Sequence, residues 1–318
     1  MKKLCLVTYT RKNECYTQAI DLIAQKLNED FMGDFKVVIC CEEMIHVPQS
    51  NYEIDIFLKK GTKYRKLISL MENDDSLYYL SIDNDISGNI PVIRQFVKKL
   101  MSQRVDIGWG RIYVDSPHGL ISNLVGVDKL LSHNLIRPTL WRLGVGISVP
   151  GQIFCIKGGR FRGNLINLDT FLDDLALGLY VNVNNCKQYI VNKNLGYERP
   201  NNHFWGLWNQ RKRWAIGYGS ILKGVFGINK YRWKVIIHGL GYHFSWILNW
   251  AIAGLLLVKF FPICILYLIF LSIIIVGKNL KMLPYAFLYQ FIFPLFHVVW
   301  MISLVRFLSK GDSNEYYS

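Results

Sequence analysis

Four short stretches of this chain carry residue types that can do chemistry together. Asp83-Asn84-Asp85 follows the apolar run 77–82. If that run is a strand continuing through the acids, alternation puts both carboxylates on one side. Two carboxylates so placed can hold Mg²⁺ or Mn²⁺, which are bound by a few carboxylates plus substrate phosphates; an ordinary D-x-D turn is the other reading. Asp173-Asp174 stands near the start of a helical stretch. One member of that pair can serve as a general base, or both can simply answer the helix dipole. Gln210-Arg211-Lys212-Arg213-Trp214 reads Q-x-x-R-W. On a helix, Gln210, Arg213 and Trp214 share one face. There a guanidinium can grip a diphosphate in bidentate fashion and an indole offers a flat surface to a sugar ring. The same five residues also suit a basic amphipathic helix lying on a membrane. Gly61-Thr62-Lys63-Tyr64-Arg65-Lys66 groups a glycine with cations, either beside a diphosphate or at a solvated helix start.

The elements that must position these groups alternate between strand and helix patterns over the first 200 residues, which predicts an α/β fold. Strands are expected at 4–9, 35–41, 77–82 and 151–156, and helices at 17–27, 63–71, 90–101 and 170–180. The stretch 108–150 is punctuated by Gly and Pro and suggests no clear element. Met1-Lys2-Lys3 has the charge of a secretion signal, but the apolar run 4–7 is too short for one. The N-terminus is therefore expected to be the first strand of a cytoplasmic domain. The seven cysteines form no C-x-x-C pair, which fits reduced thiols in a core.

Charge is distributed unevenly. The chain has 37 Lys and Arg against 23 Asp and Glu, yet no acidic residue lies between Glu198 and Asp312. Thirteen Lys and Arg lie in that interval, flanking apolar runs at about 242–258, 260–277 and 283–305. A nucleic-acid partner is excluded on this pattern, because its basic stripe belongs on a folded soluble face. Cations at the ends of apolar runs fit a cytoplasmic membrane surface instead, and about three transmembrane helices are expected.

In this order, the segments resemble the processive branch of glycosyltransferase family 2, which includes cellulose, chitin and hyaluronan synthases. The resemblance covers roughly residues 4–225. It rests on the strand with Thr8-Tyr9-Thr10-Arg11-Lys12-Asn13-Glu14, an acid after strand two, D-x-D, an acidic pair and Q-x-x-R-W ahead of membrane helices. It implies a GT-A (Rossmann-like) nucleotide-sugar-binding domain over 1–202, interfacial amphipathic helices over 203–234 and transmembrane helices over 235–310. It implies Thr8 and Glu42 at the nucleotide base, with Cys41-Glu42-Glu43 replacing the usual aspartates. It implies Asp83 and Asp85 at the metal and diphosphate, and Asp174 as the catalytic base. Gln210, Arg213 and Trp214 are implied at the donor diphosphate and acceptor, and Gly151-Gln152 resembles the acceptor-side segment. The activity implied is inverting transfer from a UDP-sugar to a growing polysaccharide at the cell membrane, with Mg²⁺ or Mn²⁺. The alternatives are single addition to a lipid-linked acceptor, or a silent membrane scaffold. Long synthases carry membrane helices before the catalytic domain, which this chain lacks, so a homo-oligomer or a partner subunit is also expected.

Overall fold

The computed structural model describes residues 2–10, 14–47, 49–166, 168 and 170–310, the last without its side chain. Arg11, Lys12 and Asn13 of the segment following the first strand lie outside the described residues. The elements run β1 (Leu4–Tyr9), α1 (Gln18–Phe31), β2 (Phe35–Cys41), β3 (Glu53–Leu58), α2 (Lys63–Asn73), β4 (Tyr78–Ile82), β5 (Ile86–Gly88), α3 (Ile90–Ser102), β6 (Ile107–Val114), α4 (Gly119–Leu131) and α5 (Arg137–Arg142). They continue with β7 (Ile153–Lys157), α6 (Gly158–Phe161), α7 (Asp173–Val183), β8 (Gln188–Glu198), α8 (Phe204–Gly224), α9 (Asn229–His243), α10 (Ser245–Lys259), α11 (Phe261–Val276), α12 (Leu283–Ile292) and α13 (Pro294–Lys310). Two compact units result: residues 1–113 with 148–199, and residues 114–147 with 200–318.

The first unit is built on an eight-stranded mixed sheet of order β3-β2-β1-β4-β7-β6-β8-β5. Strands β3, β2, β1 and β4 are parallel, and β7 runs antiparallel to both β4 and β6. Leu4, Cys5, Leu6 and Val7 of β1 are fully buried, as a central parallel strand covered on both faces requires. Helix α1 turns Ile20, Ile23, Ala24 and Leu27 into the core, the i, i+3, i+4, i+7 stripe of a helix on a sheet. Strand order reverses at β1, whose neighbours are β2 and β4. In open α/β sheets the crevice beyond the carboxyl ends at such a switch point is where ligands bind, and Asp83 follows β4 directly.

The second unit is helical. Residues 114–147, expected within the catalytic domain, belong here with the C-terminal helices. They form β6's last residue, α4, a π-helical turn Ser132–Ile136 and α5. The expectation of about three spans is also corrected. Among the described residues, Asn229–Lys259 (α9 and α10), 31 residues long, is long and apolar enough to cross a membrane, its most apolar 18 residues having mean hydropathy 1.3. The segments Leu280–Ile292 and Pro294–Ser309 pass the same criterion together, bent by 41° between them, which makes two at most. The expected middle span is the 16-residue helix α11, about 24 Å long at 1.5 Å per residue and short of a bilayer core of about 30 Å.

Candidate active site

The site grows from the start of α2. Gly61 takes φ +116°, a backbone conformation open to glycine. Thr62 then caps the helix by accepting from the Arg65 N–H at 3.4 Å, an N-cap. That turn delivers the next residue, Lys63, to the end of the sheet. Its Nζ lies 2.7 Å from Asp83 Oδ1 and 3.2 Å from Asp173 Oδ2, and donates to the Gly151 carbonyl at 2.6 Å. The Tyr9 and Phe154 rings stand 5.0 and 5.4 Å from the same ammonium. One cation, with oxygen neighbours for its three N–H groups, thus joins the end of β4, the segment before β7 and the first turn of α7. The sequence left the 61–66 stretch either beside a diphosphate or at a solvated helix start; Lys63 does begin a helix, and its bridging of Asp83 and Asp173 had no sequence signal.

The acids show the cost of this placement. Burial raises the Asp83 carboxyl to about 6; Lys63 pulls it down and Asp173 pushes it up. Burial also raises Asp173, against Lys63 and with the help of Asp174. These are the desolvation and like-charge effects that collect at functional sites.

Asp83-Asn84-Asp85 is a turn, not the continuation of β4, and this corrects the alternation argument. The strand ends at Ile82, and the Ile86 N–H closes a turn onto the Asp83 carbonyl at 3.2 Å. Asn84, buried between the two acids, pins it. Its Oδ1 accepts from the Thr17 N–H at 3.2 Å, its Nδ2 donates to the Cys15 carbonyl at 2.9 Å, and its own carbonyl accepts from the Thr17 hydroxyl at 2.8 Å. Asp83 consequently faces Lys63 while Asp85 is exposed, with no hydrogen bond or ion pair among the described residues. An exposed carboxylate just beyond the carboxyl end of β4 fits Mg²⁺ or Mn²⁺, which keep several waters and take substrate phosphates as ligands. Among the described residues no three His, Cys, Asp or Glu form a ready cage.

Asp173 and Asp174 open α7, in which every residue from Leu175 to Val181 is buried. Asp174 Oδ1 accepts from the Leu175 N–H at 2.9 Å. Gly151 lies against the pair: a Cβ added there would meet Asp174 Cβ at 3.1 Å and both Asp173 carboxylate oxygens at 3.6 Å. Gly151→Ala is therefore expected to push Asp174 by a few tenths of an ångström and lower kcat about tenfold, since misplacements near 1 Å cost about 10²-fold. Steady-state kinetics should show nucleotide affinity unchanged; an unaltered kcat would mean the close packing does not matter to the chemistry. Gln152 continues the segment, its carbonyl accepting from Asp83 N–H at 3.0 Å and its amide donating to Glu198 at 2.7 Å.

Glu42, directly after β2, is exposed; it accepts from the Gly61 N–H at 3.4 Å and pairs with the buried Lys66 at 3.3 Å. Thr8 is fully buried in β1 and its hydroxyl has no hydrogen-bond partner among the described residues. Gln210, Arg213 and Trp214 lie on α8 of the second unit. There Arg211, expected among the surface cations, is instead 3 % exposed and paired to Asp128 at 2.7 Å.

No curated protein matches the chain in sequence. Solved structures share its fold. The mannosyltransferase PcManGT from Pyrobaculum calidifontis, in complex with GDP-Man and Mn²⁺, aligns at TM-score 0.56 and 11 % identity, over 97 % of this chain and 88 % of that one. TarS 1-349 from S. aureus aligns at TM-score 0.50 and 13 % identity, over 98 % and 92 %. At such identities the likeness establishes a GT-A-like, Rossmann-type mixed sheet with helices. The sequence profile of Glycosyl transferase family group 2 matches residues 81–306, from Ser81 beside the D-x-D turn to Arg306 in the last helix, and the chain belongs to that family of transferases.

Proposed function

We propose that this glycosyltransferase moves a sugar from a nucleotide-diphosphate donor, a UDP-sugar, to a saccharide acceptor at the membrane, inverting the anomeric centre. The observation that carries the reading is the Lys63-bridged cluster of Asp83 and Asp173, with Asp174 and Gly151 beside it, at the carboxyl end of β4. Asp174 takes the proton of the acceptor hydroxyl as that oxygen bonds to the anomeric carbon and the carbon–diphosphate bond breaks. Lys63 holds Asp83 and Asp173 in place, and Glu42, exposed after β2, is assigned to the nucleotide base, whereas Thr8 is fully buried in β1 and out of a ligand's reach. Gln210 and Arg213 are assigned to the diphosphate and Trp214 to the acceptor ring. A divalent cation held by Asp85, with help from Asp83, would supply charge neutralisation to the departing diphosphate. The Mn²⁺ and GDP-Man bound to PcManGT support this donor class and this ion.

Membrane attachment is supported by the second unit. Only 6 % of the most apolar stretch of Asn229–Lys259 is buried, and Leu248, Leu255, Val258, Phe260, Phe261 and Leu266 are exposed. Apolar surface of that extent marks a lipid or protein interface. The described residues hold one or two candidate spans; a growing polysaccharide and a lipid-linked acceptor taking a single sugar are the two products to distinguish, and product size decides between them. Membranes carrying the chain are incubated with radiolabelled UDP-sugars and GDP-mannose. A long ladder supports a polymerase and a single shifted band the lipid-linked reading; no nucleotide release from any donor revives the scaffold.

Asp85→Ala tests the ion separately. Nucleotide diphosphate should bind the unaltered protein more tightly with Mn²⁺ than without, and the variant equally weakly in both. Calorimetry showing a full Mn²⁺ enhancement in the variant would remove Asp85 from the metal site.

A further inference from the structure

We propose that Asp128 is a positioning residue for the indole of Trp214, acting through Arg211. The inference rests on the reading of Trp214 as an acceptor-side group. Arg211 and Asp128 are separated by 83 positions, yet Arg211 Nη2 donates to Asp128 Oδ2 at 2.7 Å. The other carboxylate oxygen accepts from the Tyr289 hydroxyl at 2.9 Å. The guanidinium carbon then lies 4.3 Å from the Trp214 ring centroid and 5.0 Å from that of Phe293. Phe293 is itself stacked on Tyr289, with centroids 4.4 Å apart. The phenol therefore holds one carboxylate oxygen, the other oxygen holds Nη2 of the cation, and the motif's indole rests against that cation.

Charge distribution makes Asp128 necessary. No acid is available to Arg211 between Glu198 and Asp312. Within 114–147 the acids are Asp115, which is exposed, and Asp128. A buried guanidinium without a partner is strongly unfavourable, and α4 of the inserted segment brings the observed counter-ion, Asp128, to 2.7 Å. Arg211 Nε finds no hydrogen-bond acceptor among the described residues; it faces aromatic surface, where a desolvated cation–π contact is at its strongest. A pair kept only for stability could be apolar at no loss. This pair does what apolar residues cannot, holding a cation 4.3 Å from the Trp214 ring centroid.

The full chain in nanodiscs, labelled with 5-fluorotryptophan, reads the indole directly, with Trp214→Phe assigning its ¹⁹F resonance. Asp128→Asn and Arg211→Met should move or broaden that resonance, and Asp128→Glu should restore it. Because a half-broken pair can misfold, the double variant Asp128→Leu/Arg211→Met is made as well. It should keep its thermal midpoint, by the apolar-replacement argument, and still shift the Trp214 signal. An unmoved resonance in the folded double variant overturns the proposal. In parallel, the donor and acceptor that give turnover in the product-sizing assay are used for kinetics. Asp128→Asn should raise acceptor KM up to about 30-fold, the size of a lost desolvated cation–π contact, with nucleotide affinity unchanged. If Trp214→Ala leaves acceptor KM untouched, the acceptor role of Trp214 fails, while the resonance still decides whether Asp128 positions the ring.

Discussion

Asp174→Asn should lower turnover by about 10²–10⁴-fold, the usual worth of a positioned general base, and leave nucleotide affinity near that of the unaltered protein. The substitution isolates the proton. An asparagine can keep Oδ1 as acceptor of the Leu175 N–H and occupies nearly the same space beside Gly151; it cannot take a proton from a hydroxyl. The donor-side groups, Lys63 with Asp83 and the exposed Asp85, are untouched by it. The neighbouring acid provides the control. Asp173 lies 3.2 Å from Lys63 with its side chain 14 % exposed, so it is committed to that cation rather than to substrate. Asp173→Asn should therefore weaken donor binding and stability more than the chemical step. Single-turnover transfer and calorimetric nucleotide binding on both variants separate the roles. Loss of turnover in Asp173→Asn with a near-normal Asp174→Asn would exchange them.

How much of this could be read from the chain depends on the range over which each signal acts. Strands β1 and β2 were legible to the residue because strands buried over most of their length read as mainly apolar, β-rich runs, interrupted only by Thr8 and Lys36. Strand β3, EIDIFL with no residue fully buried, and β8, with Asn192, Lys193 and Asn194 at its centre, gave no such run and were missed. The acidic pair and D-x-D were legible as residue types, but their geometry was not. The turn at Asp83 is set by Asn84 bonding to Cys15 and Thr17 nearly 70 positions earlier. Likewise α4 was illegible within the stretch 108–150, because Asp128 finds Arg211 and Tyr289 far along the chain. Local periodicity carries none of these long pairings. The same limit hid the burial of Arg211, which in sequence is one more cation in a basic run.

Lys63→Met should be the most damaging single change at the first unit's site, and its damage should depend on pH. With the ammonium gone, Asp83 and Asp173 keep their burial but lose the cation that, among the described residues, lowers both. Removing one partner from a buried ion cluster costs about 3 kcal/mol at the lower end of the usual range, and that end applies because the Asp83 side chain is 31 % exposed. The sign of the pH effect follows from linkage. A carboxyl whose folded pKa lies above its unfolded value favours the folded state while protonated and loses that contribution as pH rises through the folded pKa. In the unaltered protein this window runs from the ordinary Asp range to about 6 for Asp83. Without Lys63 both acids move higher still, so the window extends upward. The difference in Tm between variant and unaltered protein should thus be small at pH 5 and grow towards pH 8, and the acid limb of activity should shift to higher pH. Thermal unfolding without donor or metal across that range measures it. A Tm difference independent of pH would mean that Lys63 contributes packing against Tyr9 and Phe154 rather than charge, and that the two acids find their counter-charge elsewhere.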